Sequence, residues 1–449
     1  MYKENILDRY KEALAVIDST ILFYKAVIVQ EVLKEIDPIS IYLTGSFGRK
    51  EGSLHISERK IVPLRDFDVL IVVNKLFDNE VIERIRKNIH ERVGVRDPFT
   101  REFKFKGFTF WFTQVELKTI NAFPLLKFYE LKEASTLLWG RDIRPGISLD
   151  FKSLSAYNGI LILFSKVEGL LGLLDVRTLK LERDSREAID LVYECMKTYV
   201  EIGTCLSLLA KVYEPSFLQR CIRLSENFKI LFPELEKMNS ALPSLIVTYA
   251  YRRLLIVDDY LASVDLGKFL VATVRDLKIA IWYYLRRSYQ INITSLPTSS
   301  YVFDEYTMKL NTRVLEDLFE QFMKIRLGIS SRIVTKIASR LYVRYTLLRF
   351  FIEGRDVGFK INLRILFTQR ANIMMRLWAI GFMLLDCVRE DFSIDEHKLH
   401  SAAERLSKLV DNGVQKRLFE EDLTLGFFFF QRTVLDLLDL ADKIFHLKK

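Results

Sequence analysis

The sequence predicts an α+β protein whose amino-terminal third mixes strands with helices and whose remainder is helical. Two short apolar runs, at residues 39–44 and 66–73, are typical of buried strands. Apolar side chains at helical spacing mark residues 5–36 and 79–93, and the sequence beyond about residue 150 is nearly all helical. At 449 residues the chain is too long for one ordinary hydrophobic core, so we expect several domains.

The elements of the amino-terminal third follow from local signals. Pro38 ends the opening helical pattern, and the polar run 57–60 divides residues 54–64 into the two arms of a hairpin. The other predicted elements are a turn or short helix over 47–52, strands over 101–105 and 108–117, and a helix over 123–139. The predicted domains are a helical segment over 1–37, a mixed domain over 38–146, and helical domains over 147–290 and 301–449, with a linker over 291–300.

The composition is that of a folded cytoplasmic protein. Hydrophobic residues make up 50% of the chain and charged residues 28%. The four cysteines show no C-x-x-C spacing, so neither a disulfide framework nor a zinc site is indicated. We recognise no signal peptide and no apolar stretch of membrane-spanning length, so we expect no membrane partner. The net charge of +9 favours an anionic partner.

Two acidic residues share one predicted strand. Asp66 and Asp68 are two positions apart, so their side chains point to the same face while Phe67 points to the other. Two carboxylates on one face of a buried strand repel each other and lose hydration, a cost that a divalent cation offsets. The pair therefore predicts a metal site. The alternative is a strand end whose carboxylates reach solvent or cap neighbouring amides.

Gly45 and Ser46 directly follow the strand predicted over 39–44. A Gly-Ser turn offers backbone N–H groups to a phosphate, and glycine lets the backbone approach the phosphate closely. On its own, such a turn is more often purely structural. Beside a strand that carries two carboxylates, it favours nucleotide chemistry.

In this order, the motifs resemble those of the DNA polymerase β-like nucleotidyltransferase superfamily. The family signature is an apolar residue and Gly-Ser, then a spacer, then Asp-x-Asp between apolar residues, with a third acid on a later strand. Gly45 and Ser46 match the first part of the signature, and Asp66 and Asp68 match the second. The resemblance covers residues 38–145. It implies the polymerase β-like nucleotidyltransferase fold, a mixed sheet with helices, followed by a large all-α region.

The resemblance implies further site residues. Glu116 would be the third acid, which is more usually aspartate, although it can also face water or pair with Lys118. Arg49 and Lys50 would neutralise charge on a departing pyrophosphate, or they are ordinary surface charges. The implied catalytic and metal-binding residues are Asp66, Asp68 and Glu116, and the implied nucleotide-binding residues are Gly45, Ser46, Arg49 and Lys50.

The implied reaction transfers a nucleoside monophosphate from a nucleoside triphosphate, expected to be ATP, to an acceptor hydroxyl. The resemblance implies in-line attack on the α-phosphate with Mg²⁺ (or Mn²⁺) as cofactor. The acceptor stays open between a small molecule, a protein and an RNA 3′ end, with RNA third because no RNA-binding module is recognisable. The competing hypothesis is a non-catalytic module that binds nucleotide or another protein.

Three further patterns favour structural interpretations. Cationic residues recur every four positions on one predicted helix, at Arg332, Lys336, Arg340 and Arg344. This basic ridge is more often a solvated face than a nucleic-acid groove. His397 and His400 have a spacing that suits a metal, but no further ligand cluster accompanies them, so we interpret them as surface residues. Residues 427–430, four consecutive phenylalanines, are most simply core or a subunit contact.

Overall fold

The computed structural model describes residues 2–57, 60–64, 66–94, 109–121, 125–174, 186–289, 373–410 and 423–445, with scattered positions between 341 and 361. The fold is α+β and mostly helical, with small mixed sheets and a helical carboxyl-terminal region. The chain divides into two compact units, of which the first comprises Met1–Asn158 and Tyr199–Val264 and the second Gly159–Thr198 and Asp265–Lys449. The helical domain predicted over 147–290 is therefore shared between the two units.

The helices and strands follow one another in chain order. Up to residue 140 they are α1 (Tyr2–Glu35), β1 (Ser40–Thr44), α2 (Gly45–Gly48), β2 (Leu54–Ser57), β3 (Lys60–Pro63), β4 (Phe67–Val73), α3 (Asn79–Val93), β5 (Phe110–Glu116), α4 (Leu117–Ile120), α5 (Leu126–Ala134) and β6 (Thr136–Gly140). Two 3-10 turns, Arg144–Gly146 and Phe151–Ser153, precede α6 (Tyr157–Leu173), α7 (Arg186–Leu209), α8 (Phe217–Leu231), α9 (Pro233–Met238), α10 (Leu242–Leu254), β7 (Leu255–Val257) and α11 (Asp258–Ser263). The remaining described helices are α12 (Leu266–Tyr289), α13 (Ile373–Leu385), α14 (Glu396–Ser407) and α15 (Leu423–Phe445).

A four-stranded mixed sheet in the first unit has the order β5-β4-β1-β6. Strand β4 lies antiparallel to β1 and parallel to β5, and β6 pairs antiparallel with the other edge of β1. The central strands β1 and β4 are almost continuously apolar because both of their faces are buried. In this register Asp68 pairs with Thr44 of β1 on one side and with Trp111 of β5 on the other.

The two faces of this sheet pack against different side chains. On one face Phe67 stacks on Phe47 with ring centroids 4.4 Å apart, and Tyr24 of α1 meets the rings of Phe67 and Phe110. The opposite face builds a core cluster of Tyr42, Leu70, Val72, Val115, Ile120, Phe128, Leu131, Ile143, Ile147 and Leu149. Because side chains alternate along a strand, Asp68 belongs to this second face.

Two predictions of local structure are confirmed. Helix α3 spans the predicted residues 79–93 and buries its three isoleucines. Strands β2 and β3 form the hairpin predicted over 54–64 and pair antiparallel, with Leu54 opposite Pro63. Strand β7 then pairs in parallel with β2, so that the hairpin becomes part of a three-stranded sheet.

The prediction of one helix over 123–139 is wrong at its carboxyl end. Helix α5 ends at Ala134, and Thr136–Gly140 forms the strand β6 on the edge of the four-stranded sheet. The short apolar run in β6 fits a strand or a buried helix equally well when periodicity is the only guide. Pairing with β1 decides between them, since it satisfies backbone groups of β6 on both sides of a register shift between Ile41 and Tyr42.

The segment 142–144, which follows β6, forms hydrogen bonds with Tyr42 of β1. The Tyr42 hydroxyl accepts a hydrogen bond from the Ile143 N–H at 2.8 Å and donates one to Asp142 Oδ1 at 3.1 Å. Arg144 donates to the same carboxylate through Nε at 2.8 Å and Nη2 at 2.7 Å. These hydrogen bonds, first of all those from Arg144, lower the pKa of Asp142 to about 2.

We expect Asp142 to stabilise the fold in a pH-dependent way. Its folded pKa of about 2 lies below the value of about 3.9 of an unfolded aspartate, so its contribution is complete above pH ~4 and is lost as the pH falls towards ~2. The Asp142→Asn variant should therefore melt below the wild type near neutral pH, and the difference should shrink below pH ~4. Thermal unfolding followed by circular dichroism tests this, and a difference that stays constant into the acid range would contradict it.

The second unit is helical over its described residues, and α13 packs against α14 and α15. Lys166 Nζ donates to Glu194 Oε1 at 2.8 Å, and the near-complete burial of both side chains requires that the charges be paired. Phe427 and Phe430 are fully buried, as expected of core residues. Across the described residues of both units, none of the helices has the length and apolar character needed to cross a membrane.

Some sequence predictions fall outside the described residues. They are the strand over 101–105, the linker over 291–300, and the basic ridge of Arg332, Lys336, Arg340 and Arg344. His397 and His400 are described, and both lie on α14. His397 is exposed, and the Nδ1 atom of His400 lies 2.8 Å from the Glu396 carbonyl oxygen, so a backbone contact accounts for His400.

Candidate functional site

The Gly-Ser turn and the Asp-x-Asp strand meet at one end of the four-stranded sheet. Gly45 opens α2 directly after β1, with a positive φ of +61°. A Cβ atom placed on Gly45 would lie 1.9 Å from Asp68 Oδ2 and 2.8 Å from Asp68 Cγ, so the carboxylate packs directly against the glycine backbone. The Thr44 hydroxyl also donates to the Asp68 carbonyl oxygen at 3.0 Å. The two motifs that the sequence predicts to act together are therefore in contact.

The carboxylate pair lies at the end of the sheet where the side chains change from buried to partly exposed. Asp66, directly before β4, and Asp68 are both partly exposed, whereas Leu70 and Val72, further along the Asp68 face of β4, are buried. Helix α5 and the segment after β6 contribute the side chains that cover those buried positions. The beginning of β4 is left partly open to solvent, so both carboxylates can be reached by a ligand.

The structure does not bring Glu116 to this pair. Glu116 pairs with Val73 at the far end of β4, about 16 Å from Asp68 at about 3.3 Å per residue. Strand alternation also directs it to the opposite face, because Val115 before it belongs to the core on the Asp68 face. Its carboxylate instead pairs with Lys118 Nζ at 3.1 Å, the alternative that the sequence left open. Glu116 is therefore not placed to share a cation with Asp66 and Asp68.

Arg49 is held by carboxylates of the protein itself. Its Nη1 atom lies 3.1 Å from Glu130 Oε2 and its Nε atom 3.7 Å from Glu51 Oε2, and the side chain is only 11% exposed. The buried Tyr213 hydroxyl donates to the same Glu130 carboxylate, and burial raises the pKa of Tyr213 well above its usual value. Its charge is compensated within the protein, so Arg49 stabilises the segment that follows the Gly-Ser turn.

Ser46 and Lys50 lie at the Gly-Ser turn and differ in their exposure to solvent. Ser46 is buried within α2, and its carbonyl oxygen accepts a hydrogen bond from the Glu51 N–H at 2.8 Å. Lys50 is exposed and adopts a φ of +63°, which is unusual for a residue with a side chain. An exposed ammonium group at the end of the turn provides positive charge for an anionic ligand.

Two contacts from elsewhere in the first unit anchor this turn. The Tyr10 hydroxyl on α1 donates to the Gly52 carbonyl oxygen at 2.9 Å. The Glu51 carboxylate accepts hydrogen bonds from the Ser216 hydroxyl at 2.6 Å and the Phe217 N–H at 2.9 Å, at the start of α8. A carboxylate at a helix N-terminus satisfies amides that have no partner within the helix. The segment directly after Arg49 and Lys50 is thus tied to both α1 and α8.

Asp66 and Asp68 suit a magnesium ion in number and in chemistry. Magnesium prefers hard oxygen ligands and is commonly held by one or two carboxylates together with substrate phosphates. Within the described part of the chain, no group of three or more His, Cys, Asp or Glu side chains is arranged to hold a metal.

Trp111 is the residue that β5 places beside Asp68, and it is 41% exposed. Sequence reasoning missed it, as it missed Glu51. The alternation along Phe110–Glu116 groups Trp111 with Thr113 and Val115, but only the register shows that this group lies on the Asp68 face. No signal in the sequence pointed to Glu51, whose partners on α8 are distant along the chain.

Comparisons of the chain with protein-family models, with curated proteins and with solved structures returned no match.

Proposed function

We propose that the first unit binds a nucleoside triphosphate together with Mg²⁺ and transfers the nucleoside monophosphate to an acceptor hydroxyl. The observation that carries this proposal is the contact between Gly45 and the Asp68 carboxylate, where a side chain at position 45 would occupy the space beside the acid. A strand that is followed by a Gly-Ser turn, next to a strand that begins between Asp66 and Asp68, also supports a polymerase β-like nucleotidyltransferase fold.

Each residue of the turn and the strand has a defined task in this proposal. Asp66 and Asp68 would hold the cation, which when bound offsets negative charge on the triphosphate and favours attack at the α-phosphate. Gly45 lets the phosphates approach the backbone, and Ser46 offers its N–H. Lys50, exposed beside the turn, attracts the pyrophosphate.

The reaction balances without a covalent enzyme intermediate. The acceptor hydroxyl oxygen forms a bond to the α-phosphorus, the bond between the α-phosphorus and the bridging oxygen breaks, and pyrophosphate leaves with its electron pair. The acceptor proton passes to water. We propose ATP as the triphosphate and rank a small molecule or a protein above an RNA 3′ end as the acceptor, because acceptor choice does not follow from the fold.

One observation favours a second candidate function, nucleotide binding without transfer. The strand position beside Asp68 is occupied by Trp111, and Glu116 lies on the opposite face of the sheet. Two carboxylates are enough to hold one cation with a triphosphate. They provide no third group to accept the proton of the acceptor, which makes transfer more demanding than binding.

The two candidates differ in pyrophosphate release. The full chain is incubated with each α-labelled nucleoside triphosphate, Mg²⁺ and a panel of sugars, aminoglycosides, proteins and short RNAs, and label transfer and pyrophosphate are measured. We expect release in the wild type and its loss in Asp66→Asn and Asp68→Asn, because an amide binds a hard cation more weakly than a carboxylate. Asp78→Asn, an exposed acid just before α3, is the matched control and should retain activity.

Each outcome decides between the candidates. Release that persists in Asp68→Asn overturns the assignment of the carboxylate pair. Mg²⁺-dependent ATP binding that is lost in Asp68→Asn, without release in the wild type under any condition, supports the binding module. Absence of both binding and release in the wild type overturns the two candidates together.

A further inference from the structure

Trp111 lies on the same sheet face as the candidate carboxylates. Strand β5 runs parallel to β4 with Trp111 opposite Asp68, and directly paired residues of neighbouring strands point to the same side. Two independent contacts fix this assignment. Phe110, one position earlier, contacts Phe67 on the other face with ring centroids 5.8 Å apart, and Val115, four positions later, joins the core on the Asp68 face.

The exposure of β5 rises towards Trp111. Along this face Val115 is 6% exposed, Thr113 is partly exposed and Trp111 is 41% exposed. The exposure of the neighbouring β4 residues rises in the same direction, from the buried Val72 to the partly exposed Asp68. Strand β5 is also the edge of its sheet in the described part of the chain. Tryptophan is enriched at contact surfaces, so a partly exposed indole on the same sheet face as the two carboxylates is suited to contact the same ligand.

The order of Gly45, Asp68 and Trp111 across the sheet indicates which part of the bound triphosphate would contact Trp111. Gly45 follows β1, Asp68 lies on the central strand and Trp111 lies on the next strand out, with neighbouring strands about 4.8 Å apart. With the β- and γ-phosphates at Gly45 and the α-phosphate at Asp68, the nucleoside continues in the direction of Trp111. A ribose spans about the distance between neighbouring strands, which brings the base over the indole.

We propose that Trp111 is the stacking platform for the nucleobase of the bound triphosphate, an inference that rests on the proposed function. Aromatic side chains stack on any base because every base has a π-face. The indole therefore supplies affinity without choosing among bases, apart from a preference for the larger purine ring. Base selection, where it exists, comes from other residues.

The experiment compares two ligands that differ only in the part that Trp111 would contact. Binding of Mg²⁺-ATP and of Mg²⁺-tripolyphosphate is measured by calorimetry for the wild type, Trp111→Ala and Trp111→Phe. We expect Trp111→Ala to weaken ATP binding about 5- to 150-fold and Trp111→Phe to weaken it less than about 5-fold. Tripolyphosphate binding should be equal in all three proteins, because this ligand has no base.

A fluorescence measurement keeps the proposal testable if Trp111→Ala fails to fold. The chain has four tryptophans, and stacking of a base on one of them quenches its emission. ATP should therefore quench the wild type and leave Trp111→Phe unchanged, while tripolyphosphate should quench neither. Quenching that remains in Trp111→Phe overturns the proposal.

The outcomes separate this inference from the proposed function. Failure of the wild type to bind either ligand with Mg²⁺ removes the proposed function itself. Wild-type binding of both ligands, with an equal loss for both or for neither in Trp111→Ala, overturns only the role of Trp111. Unchanged ATP binding with reduced label transfer in Trp111→Ala would assign the indole to the acceptor and likewise overturn base stacking.

Discussion

Replacement of Gly45 by alanine is expected to weaken Mg²⁺-ATP binding about 10- to 100-fold while the protein stays folded. The new Cβ would lie 1.9 Å from Asp68 Oδ2, a distance at which one of the two groups must move. The Cγ atom of Asp68 would also lie 2.8 Å from the new atom, so the whole carboxylate must rotate away, at some cost in stability. Rotation removes it from the position beside the turn, and the cation loses a ligand.

A second cost of this substitution comes from the backbone. Gly45 has a φ of +61°, where an alanine is less stable by about 1–2 kcal/mol. Gly94 is a matched control, since it has a φ of +67° at the end of α3 and a Cβ added there would meet no atom within 4 Å. Gly94→Ala should therefore lose similar stability and keep full Mg²⁺-ATP affinity. Chemical denaturation and calorimetry measure the two quantities.

A double-mutant comparison isolates the contact itself. In an Asp68→Ala background the carboxylate is absent and only the Cβ of residue 68 remains, 3.1 Å from the new atom. Gly45→Ala should then cost less stability than it does in the wild type, and the difference is the coupling between the two positions. Equal costs in both backgrounds, or wild-type ATP affinity in Gly45→Ala, would contradict a site built on this contact.

Local signals were sufficient to predict much of the amino-terminal fold. Helix α3 has three isoleucines on one side and matches its predicted bounds, and the polar run 57–60 correctly marked a hairpin. The Gly45–Asp68 contact was also foreseeable, because both motifs end or begin apolar runs that pair in one sheet. In these cases the residues that determine the structure lie close together in the sequence.

Long-range pairing explains what the sequence did not predict. The strand β6 exists because it pairs with β1, which lies far earlier in the chain, and its own residues do not distinguish a strand from a helix. The position of Glu116 on the face opposite Asp68 depends on strand register, which one sequence does not specify. The ion pair of Arg49 with Glu130, at 3.1 Å, likewise joins residues that are distant in the sequence.

Replacement of Glu51 by alanine is expected to reduce the free energy of unfolding by about 3–5 kcal/mol, the cost of removing one partner from a buried charge network. The Glu51 side chain is 12% exposed, and its carboxylate lies 3.7 Å from Arg49 Nε. It also accepts hydrogen bonds from the Ser216 hydroxyl and from the Phe217 and Leu218 N–H groups in the first turn of α8. Alanine leaves these donors buried without that acceptor.

Two milder substitutions divide this cost into its parts. Ser216→Ala removes the hydroxyl that bonds to Glu51 and caps α8 through the Gln219 N–H, and should cost about 1 kcal/mol. Glu51→Gln keeps an acceptor for the helix but removes the charge that faces Arg49, so its cost should fall between the other two. Urea denaturation of the three variants gives this order.

The same substitution should affect the candidate site, because Glu51 is continuous with the Gly-Ser turn. Its backbone N–H bonds to the Ser46 carbonyl oxygen while its carboxylate holds α8, so loss of the carboxylate leaves Tyr10 as the remaining anchor of this segment. We therefore expect Glu51→Ala to weaken Mg²⁺-ATP binding more than Ser216→Ala does, when both are measured well below their melting temperatures. A Glu51→Ala variant no less stable than Ser216→Ala would show that the carboxylate does not anchor the turn to the helix.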